Sequence, residues 1–479
     1  MPGYDVLVVG AGTAGIPCAI EAAERGARVL LVDKADRVGG TLHVSGGHMT
    51  GAGTRRQRER GIDDHPDRHY DDVMRIGRGL AEAEILRRAV DLAPGLIDWL
   101  DDHGFTQADT SPRLVYGHEP YSVARTHYGT DEARSILEVL TPLLDAAVES
   151  GKVEVWLDTP VVRLCQEAGR VTGAVVACSG REVVVTAAAT VLATGGYGAD
   201  PVLFGQLEGS PLFTVAAETS TGDGLRLARE AGGTITGTGR YLPTFGGLPA
   251  GPDGPGRTLW TERAQLVAAE RPPWEIYVDR HGARFVAEDE LSIDEKERAL
   301  LAAVPDLTFH VVLDARAERD GQPLLIGPDS GSVAEAAAAG REGFAAGDTL
   351  EELAERAGID PTGLRATVEG YNATLAAGSP DPFGRRHRPA PIVEPPFYAV
   401  RNHGATVITF AGVAVDTDFA VRTGDGSVVP GLYAIGEVLG CAATMGNAFC
   451  GGMTLTPALA FGRDLGARLG TTARLHRLA

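Results

Sequence analysis

The sequence predicts an α/β chain of two units, one assembled from both chain ends and interrupted by the other. Three observations predict this. At 479 residues the chain exceeds the size at which one compact core keeps growing. Its amino terminus reads as strand, glycine turn, amphipathic helix and second strand. Strands of the same apolar type return near the carboxyl end, at Pro430 to Gly440, after a long stretch of different character.

The first element, YDVLVVGAGTAGIPCAIEAAERGARVLLVDK, carries Gly10, Gly12 and Gly15. The first permits a sharp turn, the second lets a pyrophosphate approach the backbone, and the third allows the helix to pack on the strand, with Ala14 opening that helix. Amides at the helix start face phosphates. Asp33, followed by Lys34, ends the second strand where an acid accepts hydrogen bonds from ribose hydroxyls. This is a dinucleotide half-site, and by itself it leaves FAD and NAD both open. AATVLATGGYGAD supplies a further strand ending at Ala193, Thr194 and Gly195, and PGLYAIGEVLG another ending at Gly436 and Glu437. Neither repeats the glycine pattern, so one dinucleotide is expected rather than two.

In the insertion, DRHGARF reads as a turn at His281 and Gly282, with Arg284 and Phe285 locking the base. Glu288, Asp289 and Glu290 read as a solvated or arginine-paired edge. Two amphipathic helices follow, the first capped by Asp348 or Thr349 and stopped before Pro361. FGGLPAGPDGPGRT, residues 245–258, has the glycine and proline density of a mobile entrance loop.

Composition narrows the function classes. The net charge of −20 repels nucleic-acid backbones and anionic lipid over most of the surface. Five scattered cysteines without a CxxC pair suggest neither a disulfide framework nor a metal site, and fit a reducing compartment. The first strand starts at Tyr4, and no apolar run is long enough to span a bilayer, so a cytoplasmic location without membrane contact is expected.

Taken together, VVGAGTAG, VDKADRVGGTLHVSGGHMTGAGT, VLATGGYG, STGDGLRLAREAGG, DRHGARFVAED and GLYAIGEVLG resemble, nearly end to end, the FAD-dependent fumarate reductase and succinate dehydrogenase flavoprotein superfamily, including its 3-ketosteroid dehydrogenase branch. The resemblance implies a discontinuous Rossmann-like FAD-binding domain over residues 1–239 and 396–479, an inserted α+β capping domain over residues 240–395 and an active site between them. It implies that Gly10, Gly12, Gly15, Asp33 and Lys34 hold the adenosine and pyrophosphate. Gly39, Gly40, Thr41, Ser45, Gly46 and Gly47 would line the flavin ring, Val162 would lie near adenine, and Asp223 and Glu437 near the ribityl or ribose hydroxyls. Thr454 and Leu455 would place amides near the pyrimidine end of the flavin. The histidine that links covalent flavin in some members falls at Gly40, so non-covalent FAD is implied, and His43 and His48 read as polar loop residues.

The site departs from the reductase pattern. The proton-donating arginine of fumarate reductases, eight positions after the Arg of the Arg-Phe pair, falls at Ser292, a poor unaided acid. Val407, Ile408, Leu242 and Ala448 stand where those enzymes clamp a dicarboxylate with histidines and arginine. Phe449 stands where ketosteroid dehydrogenases carry a tyrosine, leaving amides near Gly451 or Gly452 to polarise a carbonyl. The candidates for proton chemistry are then Tyr121, Arg125 and His127 in YGHEPYSVARTHYG, with Ser292 and His403. The implied activity is adding or removing hydrogen across a carbon–carbon bond next to the carbonyl of a hydrophobic or cyclic ketone or enone. The implied partners are that small molecule and an electron donor or acceptor. Two alternatives stand beside it: a carboxylate substrate held by Arg125, Arg240 or Arg401, and a flavin-binding redox sensor without turnover.

Overall fold

A computed structural model describes residues 3–251, 256–259, 261–328 and 330–478. The larger sheet has eight strands. Along its main path run Ala420–Arg422, Val428–Ala434, Arg181–Leu192, Tyr4–Val9, Val29–Val32 and Val153–Trp156, and the strands Val161–Glu167 and Arg170–Cys178 join at Arg181–Leu192. Its centre is parallel, with Val6 beside Val29 and Ala189. Val29–Val32 is buried at every position, as expected of a strand covered on both faces.

The carboxyl-terminal helix Leu455–Leu478 explains how one unit arises from both ends of the chain. It lies along helix Gly15–Glu24, and Gly462, Gly466 and Gly470 face that helix at four-residue spacing. A Cβ at these positions would stand 2.3 Å from the Ala14 carbonyl oxygen, 2.3 Å from that of Cys18 and 2.6 Å from that of Ala22. Only glycine allows this approach.

The second sheet is antiparallel and has five strands, Thr244–Phe245, Phe397–Ala405, Thr308–Asp314 and Ile276–Val278 in order, with Phe344–Gly347 also on Phe397–Ala405. Residues 397–403 of that strand pair with Thr308–Asp314, and Gly404 and Ala405 pair with Phe245 and Thr244. The inserted sheet therefore continues through Ala405, beyond the boundary expected at 395, because its central strand is the last one in sequence. Helices Leu350–Ala357 and Pro361–Ala376 cover it, packing Leu353, Leu364 and Val368 on Ile276, Val278 and Val312. Of the two caps expected, Thr349 accepts from the Glu352 amide. At the base of this unit Arg284 binds Glu288 and Asp381, and Arg385 also reaches Glu288 at 3.1 Å, so Glu288 is arginine-paired and buried rather than solvated. Within the glycine- and proline-rich stretch 245–258, residues 252–255 lie outside the described residues. No helix among the described residues is long and apolar enough to cross a membrane.

Candidate active site

A cleft of about 1000 Å³ opens at the carboxyl ends of the parallel strands. That is where an open α/β sheet binds its ligand. Gly10, Gly12, Ala14, Asp33, Lys34, Gly40, Thr41, Ala193, Thr194, Gly195, Asp223, Gly436, Glu437, Thr454 and Leu455 all line it. Thr159, Pro160 and Val161 close one end, and Gly40, Thr41 and Thr454 lie along its wall. Gly10 has a φ of 107°, and a Cβ there would stand 2.3 Å from the Ala193 carbonyl oxygen. A Cβ on Gly15 would stand 1.8 Å from the Gly10 carbonyl oxygen, so Gly15 serves helix-to-strand packing and not the cleft wall. At Gly12 the nearest atom to such a Cβ is the Gly40 Cα at 3.8 Å, which leaves the backbone open to a ligand.

The polar groups of the cleft are held in place by local bonds. Asp33 accepts from the Ala11 amide at 2.7 Å and the Ala35 amide at 2.8 Å, which fixes its carboxylate at the strand end. Lys34 donates to Asp223 at 2.6 Å and to Thr221 at 2.5 Å, tying one side of the cleft to the other. Glu437 accepts from the amide and hydroxyl of Thr409, and its burial raises its pKa above the ordinary range. Helix Leu455–Leu478 brings its amino end to the cleft at Thr454 and Leu455, where the helix dipole favours negative charge. An extended dinucleotide fits this set: a glycine floor, acids placed for ribose hydroxyls and a helix start for an anionic ring or phosphate.

Of the residues expected here, Val162 does not line the cleft. Its neighbour Val161 does, and the Val162 carbonyl accepts from Arg226 at 3.1 Å. Successive side chains of a strand face opposite ways, so a one-residue offset exchanges the two. Gly39, Ser45, Gly46 and Gly47 also fall outside the cleft wall. The Gly39 amide donates to Ala11, and a Cβ on Gly47 would stand 2.4 Å from the Glu132 backbone, so both shape the loop behind it.

Three of the five proton-chemistry candidates meet in one buried cluster. The fully buried Arg125 binds both oxygens of Asp64 at 2.9 and 3.0 Å and Asp72 at 3.0 Å. With its guanidinium held this way it is not free for substrate, which corrects the expected role. His127 is buried with Nδ1 3.0 Å from Gln107 Oε1 and Nε2 3.4 Å from Thr54 Oγ1, and burial lowers its pKa to about 3. It is likewise a framework residue. Tyr121 lies over the Arg125 guanidinium, and its hydroxyl donates to the Gly451 carbonyl at 2.7 Å. Burial pushes that phenol well above its ordinary pKa, so it stays protonated and orients the Gly451 peptide.

Ser292 caps helix Ile293–Ala303 and donates at 2.8 Å to Glu119, a bond that joins the inserted unit to the loop carrying Tyr121. His403 stands apart on the inserted sheet, stacked on Phe213 at 3.9 Å with Nδ1 3.1 Å from Thr308, and burial lowers its pKa to about 4. Arg240 donates to the Leu80 carbonyl and Arg401 to Glu342, so neither is an idle anion clamp.

His118 was not singled out by the sequence, and His48 lies in a loop as expected. The His118 ring stacks on Phe449 at 3.8 Å, and its Nδ1 is buried with no partner. His48 meets the Tyr128 ring edge-on at 5.7 Å. Burial lowers His118 to about 3 and His48 to about 4, with Arg263 adding to both shifts. Leu242, Ile408 and Ala448 are buried, and Val407 and Phe449 half-buried, so this set is apolar.

The profile of the FAD binding domain family matches residues 5–455. A NADH:fumarate oxidoreductase of Klebsiella pneumoniae is 30% identical over 98% of this chain, which spans 48% of that protein's length. The open conformation of a flavocytochrome c3 fumarate reductase superposes with a TM-score of 0.75 at 28% identity, covering 98% of this chain and 78% of that one. A 3-ketosteroid delta1-dehydrogenase from Sterolibacterium denitrificans shares the fold, with a TM-score of 0.76 at 22% identity over 98% of this chain and all of that one. A glycine-floored cleft that fits a dinucleotide and a match running through nearly every element that builds it lead to one assignment: the chain belongs to the FAD binding domain family and is an FAD-dependent oxidoreductase.

Proposed function

We propose that the chain adds or removes hydrogen across a carbon–carbon bond next to the carbonyl of a hydrophobic or cyclic ketone or enone. The observation that carries this reading is the apolar set Leu242, Val407, Ile408 and Ala448 at positions where the resemblance to dicarboxylate reductases called for histidines and arginine, with apolar Phe449 next in the chain. Burying two carboxylates against such a wall costs several kcal/mol per ion, about what excludes a small diacid as the preferred substrate. When bound, FAD supplies the two-electron side of the reaction.

The protein's own share is placement and proton transfer. Tyr121 fixes the Gly451 peptide, so that the Gly451 and Gly452 amides are set to receive a substrate oxygen. Glu119 carries the proton to or from the substrate carbon, with Ser292 orienting its carboxylate from the inserted unit. The amino end of helix Leu455–Leu478 stabilises negative charge in the cleft.

Anaerobic mixing of the holoprotein with saturated and unsaturated cyclic ketones tests this. Bleaching of the flavin band by a saturated ketone, or its recovery in reduced protein on adding an enone, is expected. Silence with both classes while fumarate reoxidises the reduced protein would overturn the reading.

A further inference from the structure

Helix Ile293–Ala303 of the inserted unit divides its polar side chains between two directions. On one side Lys296 donates to the Leu266 carbonyl at 3.0 Å and the Glu288 carbonyl at 2.7 Å, and Glu297 accepts from the Phe245 amide at 3.3 Å. That side ties the helix to its own unit. The other side crosses to the FAD-binding unit at three places. Ser292 at the cap reaches Glu119 at 2.8 Å, Asp294 and Glu295 bind Arg78 at 2.9 and 2.7 Å, and Arg298 donates to the carbonyl and side-chain oxygens of Asn447 at 3.1 and 3.2 Å. One turn before Arg298, Asp294 accepts from its Nε at 2.8 Å and its Nη2 at 2.9 Å, which fixes the guanidinium plane. Asn447 immediately precedes Ala448 and Phe449 of the apolar wall, and Gly451 and Gly452 follow. Before Asn447, Gly446 has a φ of 71° and packs so closely that a Cβ there would stand 2.5 Å from the Gly77 carbonyl oxygen. After it, the Phe449 ring stacks on His118 at 3.8 Å. The bonds from Arg298 join the turn between these two supports, and they come from the other unit.

We infer that Arg298 is a positioning residue, which fixes the turn at Asn447 from the inserted unit and through it sets the wall at Ala448 and Phe449 against the Gly451 and Gly452 amides. The wall therefore takes its working shape only while the inserted unit is seated. This rests on the reading above, in which that wall receives the substrate, and goes beyond it by naming what sets the wall. Arginine suits the task because Nη2 has one hydrogen for Asp294 and one for the Asn447 oxygens, whereas Nε completes the fork on Asp294. A lysine keeps a donor but loses the fork.

The test reads hydrogen exchange of the amides of residues 447–452 in the oxidised holoprotein, and separately the turnover of cyclohexanone and cyclohex-2-enone. Arg298→Ala leaves Asp294 paired with Arg78, so no carboxylate is stranded and the fold is kept. Exchange at 447–452 is expected to quicken about tenfold in Arg298→Ala, and kcat for whichever ketone is turned over to fall about tenfold with a smaller change in KM. Arg298→Lys should lie between this variant and the parent protein in both readouts. Arg78→Gln breaks two bonds between the same units away from Asn447, and exchange at 447–452 should stay as in the parent protein. Unchanged exchange in Arg298→Ala, an equal quickening in Arg78→Gln, or quickened exchange with an unchanged kcat would overturn the inference. If exchange quickens in Arg298→Ala alone and neither ketone is ever oxidised or reduced, the inference stands and the proposed reaction falls.

Discussion

Two sets of side chains meet at the short segment of residues 116–129 and differ in one respect. The inner one, Tyr121, Arg125 and His127, is matched donor to acceptor with Asp64, Asp72, Gln107 and the Gly451 carbonyl. The outer one is His118, stacked on Phe449 with its Nδ1 left unmatched. Buried polarity that is satisfied from within is architecture. Polarity left unsatisfied is what a ligand can complete.

Arg125→Ala is the largest way to break this contrast. It strands two buried carboxylates, and a loss of about 3–5 kcal/mol is expected in urea unfolding. Arg125→Lys should recover little of it, because a single ammonium cannot reproduce the paired contacts to Asp64 and Asp72. His127 gives the next effect, and its sign follows from linkage. Its folded pKa of about 3 lies below the ordinary 6.5, so between those values the unfolded chain binds more protons. Stability should therefore fall as pH drops below about 6.5, by about 1.4 kcal/mol per pH unit for such a group. Unfolding curves at pH 7 and pH 5 measure the slope, and His127→Gln should lessen it by one group's share, His48, His118 and His403 supplying more of the same sign. Tyr121→Phe removes one bond to the Gly451 carbonyl and should cost about 1 kcal/mol, with a larger relative fall in kcat than in stability.

The same contrast shows what sequence could convey. The glycine floor was legible because each glycine answers to a steric demand of its own, as the Cβ clashes at Gly10 and Gly15 make plain. The acid after the second strand was legible for the same local reason. What Arg125 binds was not, since residue type says nothing of a partner 61 positions away in Asp64. His403 was drawn towards the site by its place in the chain, but the strand that carries it pairs with Thr308–Asp314 and belongs to the inserted sheet. His48 read as a loop residue because only folding brings it against Tyr128 and near Arg113. Val161 and Val162 are separated by strand alternation alone, which a one-residue uncertainty in register reverses.

The smallest effect sharpens the comparison furthest. An anion placed beside His118 and His48 favours their charged forms and raises both pKa values from about 3 and about 4, whereas the inner His127 lies away from the ligand and is unmoved. Binding of cyclohex-1-ene-1-carboxylate at about pH 6.5, where the free acid is ionised, should then draw a fraction of a proton from solution, and binding of cyclohex-2-enone should draw none. Calorimetric titration in two buffers of different ionisation enthalpy reads this directly. His118→Asn should reduce the uptake and His127→Gln should leave it intact, which separates the two clusters by their response to a ligand rather than by their burial.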